Sequence, residues 1–600
     1  MKNVTEDPRA RAVFIVLLAL IVYLPAVTSG FIWDDDVMLT ENEVMTASDG
    51  LHRIWFSTEL SDYFPLTSTS FWLEWRLWGL NPIGYNVTNI LLHALSGLLL
   101  WRVLLRLGIP GSWLAAVLFT IHPVCAASVD WIAQRKNTLS MVFYMATLLA
   151  CFRFERNGQK SNYATALVLF LLALLSKTSV VVLPPVLLLC AWWQRGAIAK
   201  RDVIRSLPFF ALALLLGLVT VWFQLHERFV GEMSETDTML TRVLGGSWAI
   251  WFYLGKVILP LNLSIVYSPL KIDPAQIISY VPAVLWVCVL VAAWKARTTW
   301  GRPLLFGLGY FTIALGPVLG FFDMDFLLIS QVADHLQYLA LPGAIALVVG
   351  VSVVLWQRFI EKNCAERKWI SGTVAGISIV ILAGLTWKQS CTYVNAETLW
   401  SHAVAKNPGS WMAHHQLADR MAELGRYDEA TVHYRKSLEL RPDFANGQNN
   451  FGNCLFLLGD IESAIEQFLD AIQNKPELAE AHNNLGVAYY QKGAYQEALD
   501  AYKKAFRLRP NYVAAYFGAG NSELQMANLQ GALNYYFAAT KYNPYAADIH
   551  YNIGIVLGLQ GNTNAAVASL QTALEIDPDH QLAQQEMHLL AGDASSEKAD

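Results

Sequence analysis

The chain is 600 residues long, too long for one ordinary domain. Hydrophobic residues make up 54% and charged residues 15%, against about 25% charged in an average soluble chain, and the apolar excess lies in the first two thirds. A net charge of −5 argues against a nucleic-acid partner, and seven scattered cysteines without a CxxC pair argue against a disulfide framework or a zinc site.

Apolar segments of spanning length run near 12–29, 85–107, 111–128, 138–154, 162–176, 178–194, 206–225, 278–296, 303–321, 336–357 and 368–387. The first carries no convincing cleavage site and reads as an uncleaved span. Lys and Arg mark one set of loops as cytoplasmic: Arg102 and Arg106; Arg153, Arg156 and Lys160; Arg195, Lys200, Arg201 and Arg205; Lys295, Arg297 and Arg302; Arg358, Lys362, Arg367 and Lys368. A further apolar stretch, 244–259, breaks the parity between two cytoplasmic loops and is read as an interfacial or re-entrant helix. About 11 crossings follow, with the N-terminus cytoplasmic and the C-terminal part outside, in the periplasm of a bacterial inner membrane or the lumen of an endoplasmic reticulum.

Beyond residue 390 the pattern changes. Prolines fall at 408, 442, 476, 510, 544 and 578, each 34 residues after the last, which is the tetratricopeptide period. Ala430, Ala464, Ala498, Ala532 and Ala566 keep the phase, and Tyr434, Phe468, Tyr502, Tyr536 and Leu570 follow four residues later. The expected architecture is all-α: a polytopic bundle over 1–390, about five repeats plus a partial leading unit over 391–582 forming a solenoid, and a polar tail over 583–600. In such arrays stacked helix hairpins leave a concave groove. Asn450, Asn484 and Asn552 share one phase and Asn453 and Asn521 another, on helices that line this groove, so amides there are candidates for gripping the backbone of an acceptor peptide.

The candidate chemistry lies in the loops on the outer side. FIWDDDVML places Asp34, Asp35 and Asp36 just past the first span, where burial would raise their pKa values and a carboxylate can serve as general base toward a hydroxyl. The plainer alternative is a solvated acidic turn. Asn86, Asn89 and His93 follow in the next span. FTIHPVCAASVDWIAQRKN carries His122, Asp130, Arg135 and Lys136, and LLSKT carries Lys177. These cations face outward against the usual bias, and a lipid phosphate would account for them. ADHLQYLALPG sets Asp334, His335 and Tyr338 at another outer mouth. His93 and His122 are equally compatible with packing roles. No metal is required, although three adjacent carboxylates leave a divalent cation open.

FIWDDD, PLTSTSFWLEWRLWGLNPIGYNVTNILLHA, HPVCAASVDWIAQRKN, LLSKT and ADHLQYLALPG, in that order and followed by repeats, resemble the transmembrane and tetratricopeptide-repeat O-mannosyltransferases and their prokaryotic relatives. The resemblance implies a GT-C glycosyltransferase that moves a sugar, mannose in the family, from a polyprenyl-phosphate donor to Ser or Thr hydroxyls, with the repeats engaging the acceptor. It makes Asp34 and Asp35 the catalytic pair and matches Arg135 and Lys177 to the family's motifs; with Lys136 beside them, these cations would meet the donor phosphate. His335 stands where the family has arginine and would serve the phosphate when protonated; Cys125 and Ala126 replace a more polar pair. Asp36, His93, His122, Asp130, Asp334 and Tyr338 would support the site. Two alternatives are a non-enzymatic membrane scaffold, which needs neither many spans nor outward cations, and transfer of a preassembled oligosaccharide. A transporter would need midplane ionisable groups in two related halves, and the membrane part shows no internal repeat.

Overall fold

A computed structural model describes residues 7–60, 62–227, 238–270, 272–321, 325–359 and 368–596. These residues form helices and connecting turns, with no β-strand among them. Lys362 and Arg367, expected in a cytoplasmic loop, lie outside the described residues. The chain divides into two compact units, residues 1–410 and 411–600.

The first unit is a membrane bundle. Among its described residues, seven helices are long and apolar enough to cross: Pro82–Arg106, Ile132–Asn157, Thr178–Arg195, Lys200–Gln224, Ile277–Lys295, Leu341–Arg358 and Ile370–Tyr393. A bent pair, Ser112–Thr120 and Pro123–Val129, turned by 47°, is long and apolar enough only when taken together, as a broken span or a re-entrant loop. The other three expected segments also form helices, but these are short: Pro8–Val22 and Gly301–Leu315 have 15 residues each and Lys160–Ser176 has 17, where an upright crossing needs about 20. The apolar surface faces outward. On the last of these helices Val374, Ile377, Val380 and Ile381 are all more than half exposed, an arrangement that lipid satisfies and water does not. Between helices, small residues allow close approach: a Cβ at Gly307 would lie 2.7 Å from Leu347 on the facing helix. The 244–259 stretch is part of one helix, Met239–Ile258, which is not among those apolar enough to cross.

The bend in this pair has a local cause. Pro123 offers no N–H and pushes His122 into an extended conformation. The carbonyls released there find side chains. Thr120 O accepts from His93 Nε2 at 2.9 Å, and Ile121 O from Thr386 Oγ1 at 2.6 Å, because a buried unpaired carbonyl is costly. His122 accepts the Val124 N–H on Nδ1 and donates from Nε2 to Val257 O at the end of the 239–258 helix. Both histidines therefore spend their ring nitrogens on packing and backbone closure.

The second unit is a row of helix pairs, from Trp411–Glu423 with Tyr427–Leu440 through Ala547–Leu559 with Thr563–Ile576. Gly425, Gly459, Gly493 and Gly561 hold the turn within each pair at positive φ; Ala527 does so in the fourth, at φ 60°. The phased glycines allow the two helices of a pair to touch: a Cβ at Gly452 would fall 2.6 Å from the Phe468 ring, which is 1% exposed. Gly452→Ala should therefore destabilise this unit by about 1–3 kcal/mol through overpacking, read as a lower melting midpoint; an unchanged midpoint would contradict this packing. The segment read as a polar tail overlaps a helix, Gln581–Ser596, whose Ala583 packs in the last core beside Leu570 and Ala573.

Candidate active site

The site is built where the chain leaves the first helix. Residues 32–35 form a tight turn with three very different carboxylates following one another. Asp35 is 1% exposed; one oxygen accepts the Ile32 N–H at 2.9 Å and the other the Ala133 N–H at 2.6 Å. Burial raises its pKa against the pull of those two bonds. Asp36 is exposed and takes the Thr40 hydroxyl at 2.9 Å. Asp34 is half-buried between them. Burial raises its pKa; Lys136 opposes that shift and Asp62 adds to it. The three side chains diverge, and among the described residues no group of three His, Cys, Asp or Glu side chains stands together as metal ligands.

Lys136 and Asp62 act on Asp34, and both also act on Lys177. Lys136 pairs with Asp62 at 3.7 Å. Lys177 is 9% exposed and donates to Asn137 Oδ1 at 2.6 Å. Burial and the nearby Lys136 push its ammonium down to about 7 while Asp62 opposes, so near neutral pH it is poised between charged and neutral forms and an anion would favour the charged one. Asn137 in turn donates to Gln134, Ser128 and the carbonyl of His335. His335 lies edge-on between Trp131 and Phe326. Burial, Lys177 and Lys136 all hold its imidazole well below the ordinary value. The protonated His335 expected to serve a phosphate is thus disfavoured in this structure.

Arg135 also departs from the expectation. It is fully buried and its guanidinium is consumed inside the protein: Nη1 pairs with Glu74 at 2.9 Å, Nη2 donates to Tyr85 O at 2.9 Å, and Nε donates to Asn89. It fastens the 65–78 and 82–106 helices to the 131–134 turn and has no free fork for a phosphate. Asp130 is 1% exposed and is coupled electrostatically to Tyr23, Cys125 and Tyr393, with neither lysine among its partners. Tyr338 gives its hydroxyl to His93 Nδ1 at 2.7 Å.

Asp334 accepts from the Tyr267 hydroxyl at 3.0 Å and the Ser264 N–H at 3.1 Å, which anchors the 262–270 segment. Burial raises its pKa to about 7, against Lys256 and these two bonds. A raised carboxyl contributes stability below its unfolded value and loses it as pH rises through the folded one. Wild-type stability should therefore fall between about pH 4 and 7 with a slope of at most one proton, about 1.4 kcal/mol per pH unit. Asp334→Asn should flatten that slope in melting curves; equal slopes would remove Asp334 as its source.

Asp62, Glu74, Asn137 and Trp33 were not singled out from the sequence. Trp33, Glu74 and Asn137 lie inside the quoted motifs FIWDDD, PLTSTSFWLEWRLWGLNPIGYNVTNILLHA and HPVCAASVDWIAQRKN, and Asp62 lies just before the second. In the repeats, the groove asparagines are all half-buried, and several bond across neighbouring helices: Asn484 to Asn449 at 2.9 Å, Asn552 to Asn521 at 3.1 Å, and Asn450 to Asp419 at 3.1 Å. Part of the amide capacity expected for a peptide thus links repeats to each other.

Tetratricopeptide-repeat models match residues 411–444, 479–512 and 517–580, and a further TPR-repeat model matches 452–493. Over most of its length the chain is similar to protein O-mannosyl-transferase TMTC4 of Mus musculus, 24% identical and covering 70% of this chain and 65% of that protein. Protein O-mannosyl-transferase F38B6.6 of Caenorhabditis elegans is 20% identical over 72% of this chain and 62% of its own length. The chain is similar to the protein O-mannosyl-transferases. It spans a little under two thirds of the length of these relatives. Among solved structures, the repeats match YrrB, a TPR protein with an unusual peptide-binding site, at 25% identity, covering 32% of this chain and 98% of that one with a TM-score of 0.29.

Proposed function

We propose that this chain, similar to the protein O-mannosyl-transferases, is itself a membrane glycosyltransferase, moving mannose from a polyprenyl-phosphate donor to Ser or Thr hydroxyls of proteins at the outer membrane face. The observation that carries it is the half-buried Asp34 acted on by Lys136, which also acts on the buried Lys177, in the apolar unit of the chain. The lipid tail of the donor stays in the bilayer while its phosphate meets the two lysines. Asp34 takes the proton of the acceptor hydroxyl, whose oxygen attacks the anomeric carbon. The bond from that carbon to the phosphate oxygen breaks, and the departing polyprenyl phosphate carries its charge onto Lys136 and Lys177. Arg135 and Asp35 hold the loops that present these groups. The repeat unit supplies the acceptor-binding surface, with Asn453 and the remaining capacity of the other groove amides facing a peptide. The lysine and arginine bias of the loops supports an inner-membrane placement with the repeats in the periplasm.

The test is direct. The full chain, purified in lipid nanodiscs, is incubated with polyprenyl-phosphate-mannose and a pool of Ser/Thr peptides, and the products are read by mass spectrometry. A hexose added to Ser or Thr is expected. Transfer only from another lipid-linked sugar would replace mannose as the substrate, and no transfer from any of a panel of lipid-linked donors would overturn the proposal.

A further inference from the structure

Trp33 has a left-handed backbone, φ +50°, and is the bulkiest of the three non-glycine residues with positive φ among those described; the others are Asn262 and Ala527. A large side chain adopts this conformation rarely, and it persists only where the surroundings over-determine it. Here they do. The Trp33 ring stacks on Trp131 at 5.1 Å and 5°, meets Trp400 edge-on at 5.0 Å, and touches Phe326 at 5.9 Å. Trp131 and Trp400 are 0% and 1% exposed. The next anchor along the chain is Asp35, tied to Ala133 N. Both neighbours of Asp34 are therefore fastened to the same 131–133 turn, one by an aromatic stack and one by a hydrogen bond. Asp34, between these anchors, is the carboxylate that Lys136 and Asp62 act on.

Trp400 arrives by an unusual route. Ala396, Trp400 and Pro408 keep the 34-residue phase of the repeats, so Trp400 takes the place that Phe468 or Tyr502 holds in complete repeats. There the large ring packs on a glycine of its partner helix, Gly452 or Gly486. The glycine at that phase here, Gly384, has nothing within 4 Å of where a Cβ would stand. The half-repeat helix Ala396–Lys406 lies in the first unit, and its key ring packs on Trp33 instead.

We infer that Trp33 is a positioning residue for Asp34, locked in its left-handed turn by Trp131 and by the Trp400 of a half-repeat whose usual partner is replaced by the acidic turn. The inference rests on the proposed role of Asp34. Trp33→Ala, Trp33→Gly, Trp33→Phe, Trp400→Ala and wild type would be compared as full chains in nanodiscs. Hydrogen exchange of peptides spanning 31–36 and 131–135 reports the lock without reference to activity, and transfer kinetics report its consequence. Trp33→Ala and Trp400→Ala should raise exchange in both peptides by about tenfold and lower kcat by about 100-fold with KM for the acceptor little changed. Trp33→Phe should restore most of both. Trp33→Gly relaxes the backbone yet removes the ring, and should behave as Trp33→Ala. Unchanged exchange in Trp33→Ala and Trp400→Ala would overturn the lock, and a Trp33→Gly enzyme as active as wild type would overturn the role of the ring. If wild type transfers no sugar from any donor, the proposed function falls, while the exchange comparison still decides whether the lock exists.

Discussion

Asp34→Asn should abolish sugar transfer, lowering kcat by about 1,000-fold, within the range that a positioned general base supplies, while leaving the melting curve close to wild type. Asp34 is half-buried, and its amide replacement fits the same space without breaking a backbone contact. Its pKa is raised by burial, so wild-type kcat should climb with pH along a limb set above the ordinary carboxylate range, the base being active only when ionised. That limb should be absent from any residual activity of Asp34→Asn. Asp35→Asn makes the contrast. An amide there sets an N–H donor against one of two backbone donors that Asp35 now satisfies, so stability falls and activity falls with it. A folded Asp34→Asn protein at wild-type rate would move the base elsewhere.

The largest stability effect is expected at Arg135. Removing its side chain in Arg135→Ala leaves the Glu74 carboxylate buried without its cation, and takes away the donors to Asn89 Oδ1 and the Tyr85 carbonyl. The cost of breaking a buried pair from one side is about 3–5 kcal/mol. Replacing both partners by apolar residues of similar volume, Arg135→Met with Glu74→Met, should recover much of that loss, because two desolvated charges are then removed together. Thermal melts of the two single variants and the double variant in nanodiscs decide it. If Arg135 held the donor phosphate instead, Arg135→Ala would keep the wild-type midpoint and lose only donor binding.

Much of this molecule is legible in one dimension. The 34-residue spacing of Pro408, Pro442, Pro476, Pro510, Pro544 and Pro578 specifies the repeats, because each helix pair must offer the same small and large residues to its neighbour. All 11 apolar segments became helices, since a buried or lipid-facing backbone must close its own hydrogen bonds. Their number of crossings was less legible: helix ends depend on breaks such as Tyr23 and on capping partners elsewhere in the chain, so the helices Pro8–Val22 and Gly301–Leu315 are shorter than their apolar runs suggested.

The site divides in the same way. Loop order and residue type singled out Asp34, Lys136 and Lys177, and in the structure Lys136 acts on both Asp34 and Lys177. Residue type alone is silent on partners. Arg135 and Lys136 are adjacent in sequence, yet one is fully buried against Glu74 and the other keeps an edge near Asp34 and Asp62. Asp34, Asp35 and Asp36 are chemically identical, and only the turn that tethers Asp35 to Ala133 and lets Asp36 meet water makes them different groups. Periodicity and hydropathy are local properties, carried by each segment whatever surrounds it. The pairing of Trp33 with Trp400, of Arg135 with Glu74 and of His93 with Tyr338 joins residues far apart along the chain, and the competition among possible burial partners that settles such pairs is decided only when the helices have packed.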